Sequence, residues 1–298
     1  IIIQDEKFFA VGAICTHYSA NLNDGIVTEG SLHCPWHHAC FDIETGEAQK
    51  APALTALPVW ETEIRENQLY VLEKREAQKP KVKGQSKEHF IIVGSGAAGH
   101  AASEMLRRKG FEGQITIFSE DSELPYDRPN LSKDYLAGQA PEEWMLLRSQ
   151  EFFQSQNISI RLNSKVVSLD GKARKITLST GEDFFFDKCL IATGGSPVRP
   201  PIPGIEQSHV HFLRSFSDCK SLISSLKDTK KVVIIGAGFI GLESAAALKS
   251  RGLEVTVIAP NRLPLSHVVG DEVGALLKKV HEKNGVPFKL NHSVEKIE

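Results

Sequence analysis

The chain has 298 residues, of which 41% are hydrophobic, so it is long enough for two domains with their own cores and is not disordered as a whole. Its 35 basic and 37 acidic residues give a net charge of −2, which excludes a general basic surface for nucleic acid or anionic membranes. The longest apolar run, 232–242, is too short to span a bilayer. Five unevenly spaced cysteines favour ligands and buried thiols in a reducing compartment over a disulfide scaffold.

Residues 1–75 alternate short β-branched or aromatic runs with Gly, Asn, Asp and Pro, which predicts a small antiparallel β domain. This region holds five basic and eleven acidic residues and is therefore acidic. Segment 76–88 contains four lysines without hydrophobic periodicity and is predicted to be a solvated linker. Because Ile1 resembles the middle of a strand and Glu298 ends in another strand-like stretch, we expect a piece of a longer protein, incomplete at both ends.

A duplicated pattern begins at residue 89. Each copy has a buried strand, a glycine-rich turn, a helix that ends at a glycine and a second strand; the strands begin near residues 90 and 232. Such βαβ units require parallel strands. The sequence therefore predicts a doubly wound α/β region with two dinucleotide-binding domains, 89–205 and 206–298, after the all-β domain.

Two short segments of the β domain each offer one cysteine and one histidine: Cys15 with His17, and Cys34 with His37. In an extended loop tip residues i and i+2 point the same way, so each loop is expected to present both donors together. Thiolate and imidazole suit iron–sulfur or zinc sites. One cysteine and one histidine in each half are typical of a Rieske [2Fe–2S] cluster. The alternative is a zinc site, which usually has two cysteines in one half and two histidines in the other.

With Phe41-Asp42 and Thr45-Gly46 downstream, these motifs resemble Rieske ferredoxins and Rieske-type electron-transfer domains over about residues 1–75. Where high-potential members carry hydroxyl side chains near the cluster, this chain has Ala39 and Phe41. Fewer hydroxyl donors stabilise the reduced cluster less, so the resemblance implies a potential near the low end, about −150 mV. No ligand role is assigned to the histidines that flank the motif, His33 and His38, or to the other three cysteines, Cys40, Cys189 and Cys219.

The first glycine-rich turn has glycines at Gly94, Gly96 and Gly99, between a strand and a helix. Glycines there allow a tight turn, close approach of a pyrophosphate and packing of the helix on the strand. Glu120 follows the next strand, where a carboxylate can accept hydrogen bonds from ribose hydroxyls. The helix N-terminus adds a favourable dipole for phosphate.

Residues 123–133, with the sequence ELPYDRPNLSK, resemble the FAD domain of oxygenase-coupled ferredoxin reductases and apoptosis-inducing factors, as does Ala192-Thr193-Gly194 with Pro197. Together with the Cys/His motif, nearly the whole chain resembles Rieske-bearing FAD/NAD(P)H oxidoreductases of the apoptosis-inducing-factor group. The resemblance implies FAD in the first dinucleotide domain. No Cys-x4-Cys pair occupies this loop, so disulfide-reductase chemistry is not expected. The flavin-site residues that it implies are Arg128, Lys133, Thr193 and Gly194.

The second turn has glycines at Gly236, Gly238 and Gly241, and the resemblance implies, by family order, that it binds the nicotinamide nucleotide. The resemblance pairs Glu243 with Lys133 beside the flavin, and we predict an ion pair within about 4 Å in which both residues have catalytic roles. The alternative is that Glu243 is a glutamate of the first helical turn, favoured by the helix dipole.

The place for a ribose-binding acid after the second copy's strand is occupied by Ala259, and Arg262 follows three residues later. A nearby arginine can accept a 2′-phosphate. The family resemblance favours NADH, whereas these residues leave both NADH and NADPH open.

The sequence thus predicts an enzyme in which NAD(P)H reduces FAD, and FAD reduces the Rieske cluster and then an acceptor that the sequence does not identify. The alternatives are a redox-gated, nucleotide-binding signalling protein with little turnover, and a reductase component for a separate oxygenase. The resemblance implies a mitochondrial location, with the cytoplasm as the alternative.

Overall fold

The structure, a computed structural model, describes residues 1–75 and 86–298. Backbone contacts divide the chain into two compact units, Ile1–Lys81 and Val82–Glu298. The segment predicted to be a linker, 76–88, lies outside the described residues except for its last three. The domain boundaries predicted from the sequence stay predictions.

The first unit is all β, as predicted, with two four-stranded antiparallel sheets and a 3₁₀ turn at Leu22–Asp24. One sheet has the order β1-β2-β7-β8 and the other β3-β4-β5-β6. The strands are β1 (Ile2–Gln4), β2 (Lys7–Val11), β3 (Ile26–Thr28), β4 (Ser31–His33), β5 (Cys40–Asp42), β6 (Ala48–Lys50), β7 (Val59–Arg65) and β8 (Gln68–Lys74).

The core of this unit lies against the loops that carry the Cys/His pairs. Leu32 and Phe41 are partners across β4 and β5, and both are buried in one cluster with Cys15 and Cys34. The Asp42 carboxylate accepts hydrogen bonds from the Thr45 N–H and hydroxyl, at 2.7 and 2.9 Å, and so builds the turn after β5. These contacts fix the ends of the loop between β4 and β5.

The second unit has the predicted doubly wound α/β architecture. Its sheets are a parallel one with the order β11-β10-β9-β15, an antiparallel meander β12-β13-β14 and a parallel one with the order β16-β17-β18. The strands are β9 (His89–Val93), β10 (Gln114–Phe118), β11 (Ile158–Arg161), β12 (Val166–Asp170), β13 (Lys175–Leu178), β14 (Asp183–Phe185), β15 (Lys188–Ile191), β16 (Lys231–Ile235), β17 (Glu254–Ala259) and β18 (Phe288–Leu290). The α-helices are α1 (Ala97–Arg108), α2 (Asp134–Ala137), α3 (Gln150–Ser155), α4 (Phe216–Ser225), α5 (Phe239–Ser250), α6 (Ser266–Val269) and α7 (Asp271–Lys283). Segments Arg128–Ser132 and Glu142–Met145 are 3₁₀ helices.

Strand β9 is covered on both faces, as a central parallel strand requires. Ile91 and Val93 pack in the cluster that includes the meander, whereas Ile92 packs in the cluster that includes α3. This alternation follows from the two-residue side-chain period of a strand. None of the helices among the described residues combines the length and apolar character needed to cross a bilayer.

Both parallel sheets repeat the same junction between strand and turn. Val93 pairs with Phe118 in one sheet, and Ile235 pairs with Ile258 in the other. The N–H groups of Gly94 and Gly236 donate to the carbonyls of Phe118 and Ile258, each at 2.8 Å. The carboxyl ends of neighbouring strands therefore meet at one edge, where α/β sheets bind their ligands.

Candidate functional site

The two loops with the Cys/His pairs are built alike. In each, the cysteine N–H donates to the carbonyl five residues ahead, at 2.9 Å for Cys15 and 2.8 Å for Cys34. The cysteine carbonyl accepts from the N–H four residues ahead, at 3.1 and 3.2 Å. The expectation of extended loop tips is wrong, because these hydrogen bonds close each loop into a turn.

The predicted sulfur donors are buried together. Cys15 and Cys34 are 2% and 1% exposed, and their side chains are hydrogen-bonding neighbours. Burial raises the pKa of the Cys15 thiol, and the adjacent Cys34 thiol raises it further. Two thiols held this close offer a pair of sulfur ligands from different loops.

The predicted nitrogen donors are also adjacent. The ring centroids of His17 and His37 are 5.0 Å apart, and the ring of Tyr18 stacks on His17 at 3.9 Å. Burial lowers the pKa of His17, and the neighbouring His37 lowers it further, which favours the neutral ring that binds metals. The Nδ1 atom of His17 is buried without a hydrogen-bond partner among the described residues.

This donor set fits a binuclear cluster that is held by two thiolates on one iron and two imidazoles on the other. The unpartnered Nδ1 of His17 is the atom that a metal would satisfy. No group of three or more His, Cys, Asp or Glu side chains within 1–75 and 86–298 is arranged to hold a single metal ion. The assignment of Cys15, His17, Cys34 and His37 as ligands stays a prediction that this geometry supports.

The neighbouring polar residues have structural partners. The ring of His33 lies 3.0 Å from the Thr28 hydroxyl, and the Cys40 thiol donates to Gln49 Oε1 at 3.4 Å. Ala39 and Phe41, which replace hydroxyl-bearing residues, are both fully buried.

The first dinucleotide turn needs two of its glycines for packing and leaves the third open. A Cβ on Gly94, which has φ +106°, would lie 2.3 Å from the carbonyl oxygen of Ala192 and 3.2 Å from Thr193 Cα. A Cβ on Gly99 would lie 1.9 Å from the carbonyl oxygen of Gly94. A Cβ on Gly96 would meet only the Arg128 guanidinium, 3.7 Å away.

Gly96 is also the N-cap of α1, and no side chain caps this helix end. The first N–H groups of α1 are therefore available to an anion, and the helix dipole favours negative charge there. An open glycine backbone, free helical N–H groups and the nearby Arg128 together fit the pyrophosphate of FAD.

Arg214 is a site residue that sequence reasoning missed. Its carbonyl accepts from Arg128 at 3.1 Å, and its Nε donates to the Gly195 carbonyl at 3.0 Å. A Cβ on Gly194 would lie 3.3 Å from Arg214 Nη2. Arg128 thus lies beside Gly96 and Arg214 beside Gly194, and no local motif marks Arg214 because its contacts are distant in sequence.

The second turn shares two features with the first, a closely packed third glycine and an open second glycine. A Cβ on Gly241 would lie 2.2 Å from the Gly236 carbonyl oxygen, whereas one on Gly238 would meet nothing within 4 Å. Gly238 is the N-cap of α5, which has no side-chain cap. Residues 94–99 with the start of α1, and residues 236–241 with the start of α5, are called the two dinucleotide cradles. The second cradle also presents open backbone and free N–H groups to a phosphate.

Lys133 and Glu243 form the predicted ion pair, with 3.0 Å between Lys133 Nζ and Glu243 Oε2. The buried Ser132 hydroxyl, which the sequence did not single out, donates to the same carboxylate oxygen at 2.6 Å. Glu243 is the fifth residue of α5, whose first turn has no acidic residue, so the first-turn alternative is wrong. The catalytic roles of Lys133 and Glu243 stay predictions.

Residues 88–298 match the family described as pyridine nucleotide-disulphide oxidoreductase, and residues 1–61 match the Rieske [2Fe–2S] domain. The chain belongs to that oxidoreductase family. The predicted cofactors are confirmed by these matches: a [2Fe–2S] cluster in the Rieske domain, and FAD with pyridine nucleotide in the reductase region.

Similar proteins support both parts of this oxidoreductase. Human "Apoptosis-inducing factor 3" is 32% identical over all of this chain and 51% of its own length. "Rubredoxin-NAD(+) reductase" of Pseudomonas putida is 38% identical over 70% of this chain and 54% of its own length. A solved covalent complex of putidaredoxin reductase with putidaredoxin has a TM-score of 0.68 at 30% identity, covering 72% of this chain and 52% of that one. The chain spans about half the length of the curated relatives it matches.

Glu120 of this oxidoreductase lies two residues beyond β10, where its carboxylate pairs with Lys165 Nζ at 2.6 Å. Both side chains are exposed. Glu120→Ala is expected to weaken FAD affinity about tenfold while the fold persists, because a charge-assisted hydrogen bond to the ribose is lost. Flavin retained after dialysis measures the effect.

Lys165→Ala is the matched control, since it breaks the same ion pair but leaves the carboxylate in place. It is expected to retain flavin. If Glu120→Ala holds flavin as well as Lys165→Ala does, Glu120 has no part in the site.

The Lys133–Glu243 pair is half-exposed, at 46% and 31%, so water screens it and its coupling in the free energy of unfolding is expected to be at most about 1 kcal/mol. Lys133→Ala is expected to slow flavin reduction about tenfold, because the cation no longer stabilises arriving negative charge. The double variant with Glu243→Ala is expected to regain part of the stability but not the rate. A double-mutant cycle that gives zero coupling in both stability and rate would reduce the two residues to ordinary surface charges.

The second copy differs at the position of Glu120. Because Ile258 takes the place of Phe118 in the strand register, Pro260 is the counterpart of Glu120, and Ala259 is one residue earlier than that position. The sequence-based prediction took the residue that closes the strand, and Ala259 is the last residue of β17, so neither Ala259 nor Pro260 supplies a carboxylate. Arg262, also predicted to contact the nucleotide, forms an exposed ion pair with Asp271.

Proposed function

We propose that this oxidoreductase takes hydride from a pyridine nucleotide onto FAD and passes electrons singly to its own Rieske cluster, and from there to an acceptor protein. The observation that carries this proposal is the presence, in one chain, of a Rieske domain and two open dinucleotide cradles joined by the contacts of Glu243 with Ser132 and Lys133. Bound FAD supplies the conversion between two-electron and one-electron chemistry.

The residues of the chain then have separate tasks. Gly96 and the start of α1 bind the FAD pyrophosphate with Arg128, and Gly238 and the start of α5 bind the nucleotide phosphates. Lys133 holds positive charge near the flavin, and Glu243 orients it from the second copy. Cys15, Cys34, His17 and His37 hold the cluster.

An acceptor within the same chain is favoured by the domain content. The solved reductase complex joins putidaredoxin reductase to a separate protein, putidaredoxin. Here the matched Rieske domain and the reductase region share one chain, so the first acceptor needs no second protein.

The proposal includes a mitochondrial location, implied by the family resemblance, with the cytoplasm as the alternative, and an apoptosis-linked role suggested by the relative's name.

Anaerobic addition of NADH or NADPH to the purified holoprotein tests this function. We expect the flavin absorbance to bleach and the paramagnetic signal of a reduced Rieske cluster to appear. A cluster-free Cys34→Ser variant is expected to show bleaching without that signal. A holoprotein whose flavin neither nucleotide reduces would overturn the proposal.

A further inference from the structure

The two dinucleotide cradles share one strand register, but they differ in a residue just beyond the second strand of each. The equivalent hydrogen bonds from Gly94 and Gly236 set the same register in both copies. Two residues after Phe118, whose carbonyl accepts from Gly94, the first copy has Glu120 with an exposed carboxylate. Two residues after Ile258, whose carbonyl accepts from Gly236, the second copy has Pro260. The second cradle therefore lacks the ribose-binding acid of the first.

No nearby residue of the sequence supplies the missing carboxylate. After Glu254, at the start of β17, the next acidic residue along the chain is Asp271, the first residue of α7. Its carboxylate is paired with the Arg262 guanidinium. A carboxylate at this edge selects NADH by accepting from the ribose hydroxyls and by repelling a 2′-phosphate, so its absence removes that repulsion.

Arg262 places a cation just beyond the same edge. Its side chain is 68% exposed, so a ligand in solvent can reach the guanidinium. A guanidinium has five N–H donors in a planar fork that matches phosphate oxygens, so Arg262 can bind a phosphate while it keeps a contact with Asp271.

From these observations we infer that the second cradle selects NADPH over NADH, with Arg262 binding the 2′-phosphate. The inference rests on the proposed function and specifies the nucleotide that this oxidoreductase uses. It departs from relatives whose names specify NAD(+), such as "Rubredoxin-NAD(+) reductase" of Pseudomonas putida.

Calorimetric titration of the FAD-loaded holoprotein with two adenosine nucleotides tests the inference without turnover. Adenosine 2′,5′-bisphosphate is expected to bind at least about tenfold more tightly than AMP, which lacks the 2′-phosphate. Arg262→Ala is expected to remove that difference and to leave AMP binding unchanged. Equal binding of the two probes, or an unchanged preference in Arg262→Ala, would overturn the assignment.

Lys231→Ala is the matched control. Lys231 is also an exposed cation in an ion pair, with Glu254, but it lies at the opposite end of the same sheet. We expect this variant to keep the preference for the bisphosphate. If Lys231→Ala loses the preference as Arg262→Ala does, the preference reflects the general surface charge, and the assignment of Arg262 as the binding residue is wrong.

A second variant restores the acid. Pro260→Glu is expected to weaken binding of the bisphosphate about tenfold, because a carboxylate then faces the 2′-phosphate. Bisphosphate binding at the original strength in a folded Pro260→Glu protein would contradict the assigned position.

Flavin reduction separates this inference from the proposed function. If NADH bleaches the flavin with a higher kcat/KM than NADPH does, the reductase function stands and the inference fails. If neither nucleotide bleaches the flavin, the proposed function fails, and the binding comparison still decides whether the cradle recognises a 2′-phosphate.

Discussion

Cys34→Ser is expected to eliminate the Rieske cluster, so that iron and acid-labile sulfide fall to background in the purified protein. Cys34 is 1% exposed and lies against Cys15, so the two predicted sulfur donors come together from separate loops. In a Rieske cluster two cysteine thiolates bind one of the two irons. A serine oxygen is a harder ligand than thiolate sulfur and is less suited to that iron. Serine is close in size to cysteine, so the loop between β4 and β5 is expected to keep its fold, as circular dichroism will show.

Cys40→Ser is the matched control for this experiment. Cys40 is equally buried, at 1% exposure, but its thiol donates to Gln49 and it is not a predicted ligand. We expect this variant to keep its iron and sulfide. Retention of the cluster by Cys34→Ser, or its equal loss from both variants, would show that the ligand set is wrong.

Gly96→Ala is expected to lower flavin content about tenfold or more while the fold is kept. In the protein alone, an added Cβ meets only the flexible Arg128 guanidinium, at 3.7 Å and beyond. The same position is where a pyrophosphate must approach the backbone, and a methyl group there keeps it away. Flavin per chain and the thermal unfolding midpoint of the flavin-free protein measure the two effects separately.

Of two other glycine variants, one is a suitable control for Gly96→Ala and the other is not. Gly171→Ala also adds a methyl group to open space, outside the dinucleotide turns, and is expected to keep its flavin. Gly99→Ala cannot separate binding from folding, because its Cβ would lie 1.9 Å from a carbonyl oxygen. A Gly96→Ala protein with full flavin content would remove this turn from the FAD site.

Patterns within short stretches of the sequence predicted much of this structure. The period of the strands and the two glycine turns indicated the β domain and the duplicated βαβ units, because both depend on local spacing. The contact between Lys133 and Glu243 was predicted from a family resemblance, since 110 positions separate the two in the chain.

What the sequence did not predict depends on contacts that only the folded chain makes. Arg214 reaches Arg128 across 86 positions, and no local motif signals that contact. The cysteine loops close through backbone hydrogen bonds, which are independent of side-chain spacing. Pro260 was not identified as the counterpart of Glu120, because the sequence indicates where β17 ends but not which residues of two strands are paired.

Rapid mixing of the oxidised holoprotein with one equivalent of NADPH, followed by optical and paramagnetic detection, tests the proposed electron path most directly. We expect the flavin to bleach first and the signal of the reduced Rieske cluster to rise as the flavin loses its first electron. The Cys34→Ser variant is expected to stop at the reduced flavin. A cluster that stays oxidised beside a fully reduced flavin would contradict electron transfer from FAD to the Rieske domain of this chain.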